Sequence, residues 1–353
     1  MKSQVLTHGG DWAGFEEEYG YTPLDLSANV SPFGVPEGVK EAIREGVEEA
    51  DRYPDPLCRA LRKAIGEARD IDPAYCLCGN GAADLIFRLA LAERPKKALV
   101  TGPTFAEYRT ALETVDCRVE TCLLKEEQDF RLQEDILDAI TDDVEMVFLC
   151  EPNNPTGISD EKELLLKVMK RCEDIGALLV VDECFHDFIE NPERNTLEPF
   201  VADHPRLMVL KAFTKMYGMA GVRLGYCLCS DEKLLDRMTR CGQPWSVSSL
   251  AQCAGVAALK EEGYVEKVQE LTATERPFLK QELEKLGYRV IPGEANYLLF
   301  RGTPTLGEDL RKKGILIRSC ANYPGLDDRW YRVAVRTHEE NQRLVAALRE
   351  VLL

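Results

Sequence analysis

The sequence predicts an α/β protein: a large, mostly parallel sheet covered by helices on both faces, followed by a smaller α+β unit. Three observations carry this. Short apolar runs alternate with helical segments between residues 97 and 241. The runs are nearly continuous in apolar residues, as strands buried on both faces are. After about residue 245 the order changes to a long helical stretch, then three strand-like runs and a closing helix, which reads as a separate unit.

The elements follow in order. The first 35 residues are rich in turn formers (HGGD, SANVSPFG) and read as an arm joining the small unit. Residues 37–49 and 56–68 have helical periodicity, split at Tyr53-Pro54-Asp55-Pro56, where the prolines interrupt a helix. The apolar runs are KALVTG (97–102), RVETCLL (118–124), VEMVFLC (144–150), ALLVVDE (177–183), RLMVLKAF (206–213) and RLGYCLC (223–229). Helical segments include 105–114, 160–174 and 231–241. A helical stretch over 249–286 precedes YRVIPGEANYLLF, GILIRSC and WYRVAVR, and a helix over 338–352 ends the pattern. The expected division is an arm (1–35), a large domain (36–245) and a small domain (246–353). A ligand belongs between the domains, at the C-terminal ends of the large-sheet strands.

Composition narrows the function. A chain of 353 residues suggests about two domains, and 45% hydrophobic residues supply a core. The balance of 44 basic and 61 acidic residues, −17, disfavours a nucleic-acid binder and requires local arginines to capture any anion. Thirteen cysteines are an odd number without a C-x-x-C, and Cys76/Cys78 and Cys227/Cys229 alternate within apolar runs as strand residues do. Reduced thiols in a cytoplasmic protein fit this best, and no metal site is expected. The first residues lack the apolar stretch of a signal peptide, and no 18-residue apolar run marks a membrane span.

Five segments carry chemistry. In KAFTKMYGMAGVRLGY (211–226), Lys215 follows a strand and stands eight residues before Arg223. A lysine amine forms an imine with an aldehyde once its environment favours the neutral form, and an arginine grips phosphate. A surface lysine and a strand-edge arginine would satisfy the same spacing. In VVDECFHDF (180–188), Asp182 ends an apolar strand, either as a helix cap or as a carboxylate for a protonated ring nitrogen. EPNNPTG (151–157) is a turn after a strand that would aim Asn154 at the crevice. CGNGAADLIF (78–87) is a glycine turn entering a helix, so the amides of Ala82 and Ala83 make an anion site. It is neither the dinucleotide fingerprint nor a Walker loop. GPTFAEY (102–108) places Phe105 or Tyr108 where a ring could stack on a flat cofactor or simply fill the core.

Taken together, this order of motifs resembles the fold-type I pyridoxal-phosphate enzymes of the class I/II aminotransferase family, over nearly the whole chain. The resemblance implies an aspartate aminotransferase-like fold with a seven-stranded large sheet, pyridoxal 5'-phosphate (PLP) as cofactor, and a homodimer with shared active sites. It implies Lys215 as the Schiff-base lysine, Asp182 as the ring-nitrogen partner and Asn154 as donor to the ring's phenolic oxygen. Ala82, Ala83, Thr214 and Arg223 would form the phosphate cup, Phe105 would stack on the ring, and Tyr53 would reach the phosphate from the other subunit. Arg332 is similar to the substrate-carboxylate arginine, and Asn296 occupies the matching asparagine position.

Two positions depart from the pattern. Ala212 replaces a hydroxyl residue, and Phe185 replaces a tyrosine that would hydrogen-bond the ring oxygen. Within the family, HGG, SANVSPFG, DECF, PWSVSSLAQ, IRSCANYPGL and RVAVRTHEEN resemble the branch of histidinol-phosphate aminotransferases and L-threonine-O-3-phosphate decarboxylases, leaning to the latter. That implies a small phosphorylated amino acid as substrate and a place in cobalamin side-arm synthesis; transamination of histidinol phosphate is the alternative. Candidate phosphate ligands are Arg318, Arg336, His8, Asn29 and Ser31. Arg332 and Arg336, four apart in one expected strand, would share a face. A salt bridge to a surface carboxylate is the other reading of Arg336, and a place in the terminal arm is the other reading of His8.

Overall fold

The computed structural model describes residues 8–352. Its strands are β1 (Leu24–Asp25), β2 (Cys76–Gly79), β3 (Lys97–Gly102), β4 (Arg118–Leu123), β5 (Met146–Cys150), β6 (Leu178–Asp182) and β7 (Leu207–Ala212). They continue with β8 (Gly225–Leu228), β9 (Arg289–Val290), β10 (Tyr297–Arg301), β11 (Ile315–Leu316), β12 (Arg318–Ser319) and β13 (Trp330–Ala334).

Seven strands form the large sheet in the order β2-β8-β7-β6-β5-β3-β4. The pairs from β7 to β4 are parallel, and β8 runs antiparallel to both β7 and β2. Every residue of β6 is buried. Leu179 and Val181 join the core on one face of the sheet, while Leu178 and Val180 join the core on the other. This alternation is why both-faced burial reads as a continuous apolar run. From β3 the chain goes to β4 on one side, then returns through β5 on the other. A crevice therefore opens where β3 and β5 end, the position at which open α/β sheets bind ligands.

The small unit is a four-stranded sheet, β12-β13-β10-β9, and β1 pairs with β11 in parallel. Leu24 and Leu26 lie in one core with Leu298, Phe300 and Val333, which ties the described part of the arm to this unit.

Two elements differ from expectation. The arm contains a helix, Trp12–Tyr19, capped by Asp11, whose carboxylate accepts from the Gly14 amide. Buried Phe15 stacks on Tyr19 at 4.4 Å, and the Arg311 guanidinium packs over both rings and pairs with Glu18, which holds the helix among turn formers. The stretch 249–286 is two helices, Ser249–Ala258 and Tyr264–Lys285, separated at Gly263, whose φ is +71°. The first of them packs Ala251, Ala254 and Ala258 into the core that holds Leu61 and Ile65.

Candidate active site

The crevice collects side chains from the ends of β3, β5, β6 and β7. β7 runs directly into a one-turn helix, Phe213–Met216, which carries Lys215. The Ser31 amide donates to the Lys215 carbonyl at 2.9 Å, so the arm closes over this turn. The Lys215 ammonium lies 5.5 Å from the Phe185 ring. Burial, then the positive charges of Arg332 and Arg223, pull its pKa down to about 8. A neutral amine is the reactive form, so reactivity rises as pH passes through this value. In the cofactor-free protein, reductive trapping of Lys215 by a small aldehyde is expected to reach half its maximal rate near pH 8. An ordinary lysine would need pH ~10.4. A midpoint above 10, read by peptide mapping against pH, would contradict the assigned environment.

Asp182 is the last residue of β6 and is buried. Its Oδ1 accepts from the Cys184 amide at 3.0 Å and its Oδ2 from the Tyr108 hydroxyl at 2.6 Å. Asn154 follows β5 and accepts a hydrogen bond from Arg332 through Oδ1. A guanidinium only donates, which places the amide oxygen toward Arg332 and leaves Nδ2 as the donating end. Arg332 also donates to the Ser27 carbonyl at 3.0 Å, and its buried Nε finds no partner among the described residues.

The anion site is built from backbone. The helix Ala82–Glu93 begins after Gly81, and no side chain caps it. Gly81 has φ +82°, and a Cβ there would stand 2.6 Å from an Arg223 nitrogen. The positive φ makes glycine the residue for this turn. An arginine against the positive end of a helix dipole is unfavourable unless an anion sits between them. Thr214 adds a buried hydroxyl residue, and the same pocket is lined by Ala82, Ala83, Phe105, Asn154, Asp182 and Lys215.

The remaining candidates divide. Asn29 is 2% exposed, and neither its amide nitrogen nor its oxygen has a partner among the described residues. Buried Asn296 donates to the Asn29 carbonyl at 3.3 Å, and its own oxygen is unpaired. Ser31 shares a hydrogen bond with the Tyr264 hydroxyl at 2.8 Å. His8 contacts Glu107 at 2.7 Å, with its ring 5.7 Å from Phe105. Arg318 lies directly opposite Arg332 across β12 and β13, and also donates to Asn322 at 2.7 Å.

Arg336 does not share a strand with Arg332, because β13 ends at Ala334. There the chain turns into the helix His338–Val351, and Arg336 pairs with Glu340 at 2.8 Å. The arginine that shares a face with Arg332 is Arg318, its cross-strand partner. Tyr53 is 78% exposed and stacks on Trp245 at 4.4 Å, away from the pocket of its own chain.

Sequence reasoning missed Cys150 and Cys184, which line the pocket beside Phe185. The position of Cys184, two after Asp182, was the available signal; Cys150 as the final residue of β5 gave none beyond strand alternation. Tyr108 was named as a stacking candidate, whereas it reaches Asp182 instead.

Residues 21–348 match the family model for aminotransferase class I and II. The chain belongs to the class I and II aminotransferase family. It is 40% identical to the threonine-phosphate decarboxylase of Salmonella typhimurium, over 98% of this chain and 96% of that protein. Among solved structures, the histidinol-phosphate aminotransferase of Clostridium acetobutylicum has a TM-score of 0.87 and 29% identity, covering 93% of this chain and 98% of that one. The fold also matches a histidinol-phosphate aminotransferase of Sinorhizobium meliloti in complex with pyridoxal-5'-phosphate. That match has a TM-score of 0.86 and 24% identity and covers 99% of this chain and 96% of the other. The large mixed sheet and its helices are the aspartate aminotransferase-like fold of this family of PLP-dependent enzymes. No helix among the described residues is long and apolar enough to cross a membrane.

Proposed function

We propose that this family member binds PLP through Lys215 and decarboxylates L-threonine O-3-phosphate. The residues present fit the cofactor. Arg223 and the uncapped helix start at Ala82 and Ala83 suit its phosphate, with Thr214 alongside. Asp182 suits its ring nitrogen, Asn154 Nδ2 its phenolic oxygen and Phe105 its ring face. When bound, PLP supplies an electron sink for the pair left at Cα when one of its bonds breaks.

The observation that carries the substrate reading is the pair Arg318 and Arg332, opposite each other on β12 and β13. Side chains so placed start about 5 Å apart on one face of the sheet. A small amino acid with both a carboxylate and a phosphate meets two guanidinium groups at that separation. Arg332 offers its unpartnered Nε, and Asn29 and Asn296 supply unpaired amide atoms close by. We place Arg336 behind them, aligned by Glu340, as a further phosphate ligand, with His8 and Ser31 from the arm.

Orientation then selects the bond. Arg318 and Arg332 would hold the substrate's carboxylate and phosphate and so decide which bond at Cα breaks, and PLP would take up the electrons released by loss of carbon dioxide. The C–CO2 bond breaks, carbon dioxide leaves, and Lys215 Nζ is the group placed to return a proton to Cα. The likeness to the Salmonella decarboxylase supports this choice over transamination. Thirteen unpaired cysteines suit a reducing compartment, and we read the protein as cytoplasmic.

We also read the active unit as a homodimer. Exposed Tyr53, stacked on exposed Trp245, is the group offered to a second copy's phosphate cup.

Holoenzyme given L-threonine O-3-phosphate without any 2-oxo acid is expected to release carbon dioxide and an amine phosphate in equal amounts. Turnover that instead required 2-oxoglutarate and yielded glutamate would replace decarboxylation with transamination.

A further inference from the structure

Tyr108 is fully buried on the helix Glu107–Glu113, and its hydroxyl donates to Asp182 Oδ2 at 2.6 Å. Its ring stacks on Phe148 at 4.9 Å and meets Phe105 edge-on at 5.6 Å. One side chain therefore braces two groups: the carboxylate that faces the ring nitrogen and the aromatic ring that covers the cofactor's face. We infer that Tyr108 is a positioning residue that holds the Asp182 carboxylate in orientation, and through it the proton on the cofactor's ring nitrogen. This rests on the PLP reading above and deepens it.

The physical argument is short. A carboxylate in a dry site keeps its charge when donors meet its oxygens. Asp182 has one donor on each: the Cys184 amide, fixed by the backbone, and the Tyr108 hydroxyl. Burial, then the charge of Asp182, push the Tyr108 phenol well above the usual tyrosine range, so it remains a donor at any working pH. The other titratable groups coupled to Asp182 are Cys150 on β5, Cys184, Tyr297 on β10 and Lys215. Burial raises the first three, which keeps them neutral. Lys215 is consumed by the covalent linkage.

Tyr108→Phe removes only the hydroxyl and leaves both ring contacts. The ring nitrogen of the bound cofactor is then protonated less often. A less positive ring repels the proton on the Lys215 linkage less, so that proton is held to higher pH. The visible absorption of PLP-loaded protein is expected to titrate with its midpoint raised by about half a unit or more. The kcat is expected to fall about tenfold with KM changed less than about twofold, the loss of one hydrogen bond to a buried charge.

Two further proteins separate this from packing. Phe148→Leu disturbs the Tyr108 ring but not the hydroxyl, so it lowers Tm and leaves the midpoint in place. Site-specific 3-fluorotyrosine at position 108 has a more acidic phenol, donates more strongly and moves the midpoint down. An unmoved midpoint in both the Phe and the fluorotyrosine proteins, with wild-type protein showing the band, would overturn the inference alone. A wild-type protein that acquired no visible band with PLP would overturn both it and the cofactor reading.

Discussion

Lys215→Ala is expected to abolish turnover, lowering kcat by at least about 10⁴-fold, because the variant loses the group proposed to hold the cofactor and move the proton. The loss should not come from unfolding. Lys215 sits on a single helical turn, and the surrounding core residues Phe213 and Met216 remain. The variant removes a buried amine whose charge is disfavoured beside Arg332 and Arg223, so Tm should hold or rise slightly. Borohydride reduction of PLP-loaded wild-type protein should attach the cofactor at Lys215, by peptide mapping, and at no site in the variant. A label on another lysine would end the assignment. The same variant tests the shared site. Mixed with a Tyr53→Ala protein, half the dimers are hybrids, and each hybrid has one site with both residues intact. Recovery to about a quarter of wild-type activity is therefore expected if the two residues act across the subunit boundary. No recovery after demonstrated subunit exchange would place Tyr53 outside the site.

Asp182→Asn is expected to lower kcat roughly 10²–10³-fold while leaving substrate KM nearly unchanged. The amide has almost the same shape: its single oxygen can still accept from the Cys184 amide, and its NH2 then faces the Tyr108 hydroxyl, which can turn to accept. What it lacks is the charge that keeps a proton on a ring nitrogen. Reconstitution with N-methylated PLP, whose ring nitrogen is permanently cationic, should restore a substantial part of the rate. That cofactor discriminates charge from shape: no rescue, or a kcat near wild type in the unmodified variant, would remove Asp182 from its role.

Much of the site was legible because its chemistry is tied to local punctuation. Lys215, Asp182, Asn154 and the Ala82–Ala83 amides each stand at or just after a strand end, and for Asn154 and the Ala82–Ala83 amides a proline or glycine turn marks the place. A strand end in a parallel sheet faces the crevice whatever surrounds it, so position along the chain was enough to place these residues. The strands themselves were legible for the same kind of reason: burial on both faces writes the apolar run directly into the sequence.

Other features depend on what lies far away along the chain. The helix Trp12–Tyr19 is held by Arg311, whose guanidinium lies 5.2 Å from the Phe15 ring and 5.8 Å from the Tyr19 ring and pairs with Glu18, while turn formers around the helix hide it. The packing of Ser249–Ala258 with Leu61 and Ile65 depends on a groove about 190 residues distant in sequence. The Tyr108–Asp182 bond spans 74 residues, and no periodicity encodes the meeting of a helix residue with that strand end.

The two arginines make the distinction sharpest. The sequence by itself determined that a cluster of arginines follows the small-domain strands, and spacing within WYRVAVR suggested Arg332 and Arg336 as the pair. Only the tertiary structure decided that β13 stops at Ala334 and that Arg318, fourteen positions before Arg332, stands opposite it. Strand periodicity orders side chains only while the strand lasts, whereas cross-strand register is set by which strands pair, and that is a property of the folded sheet.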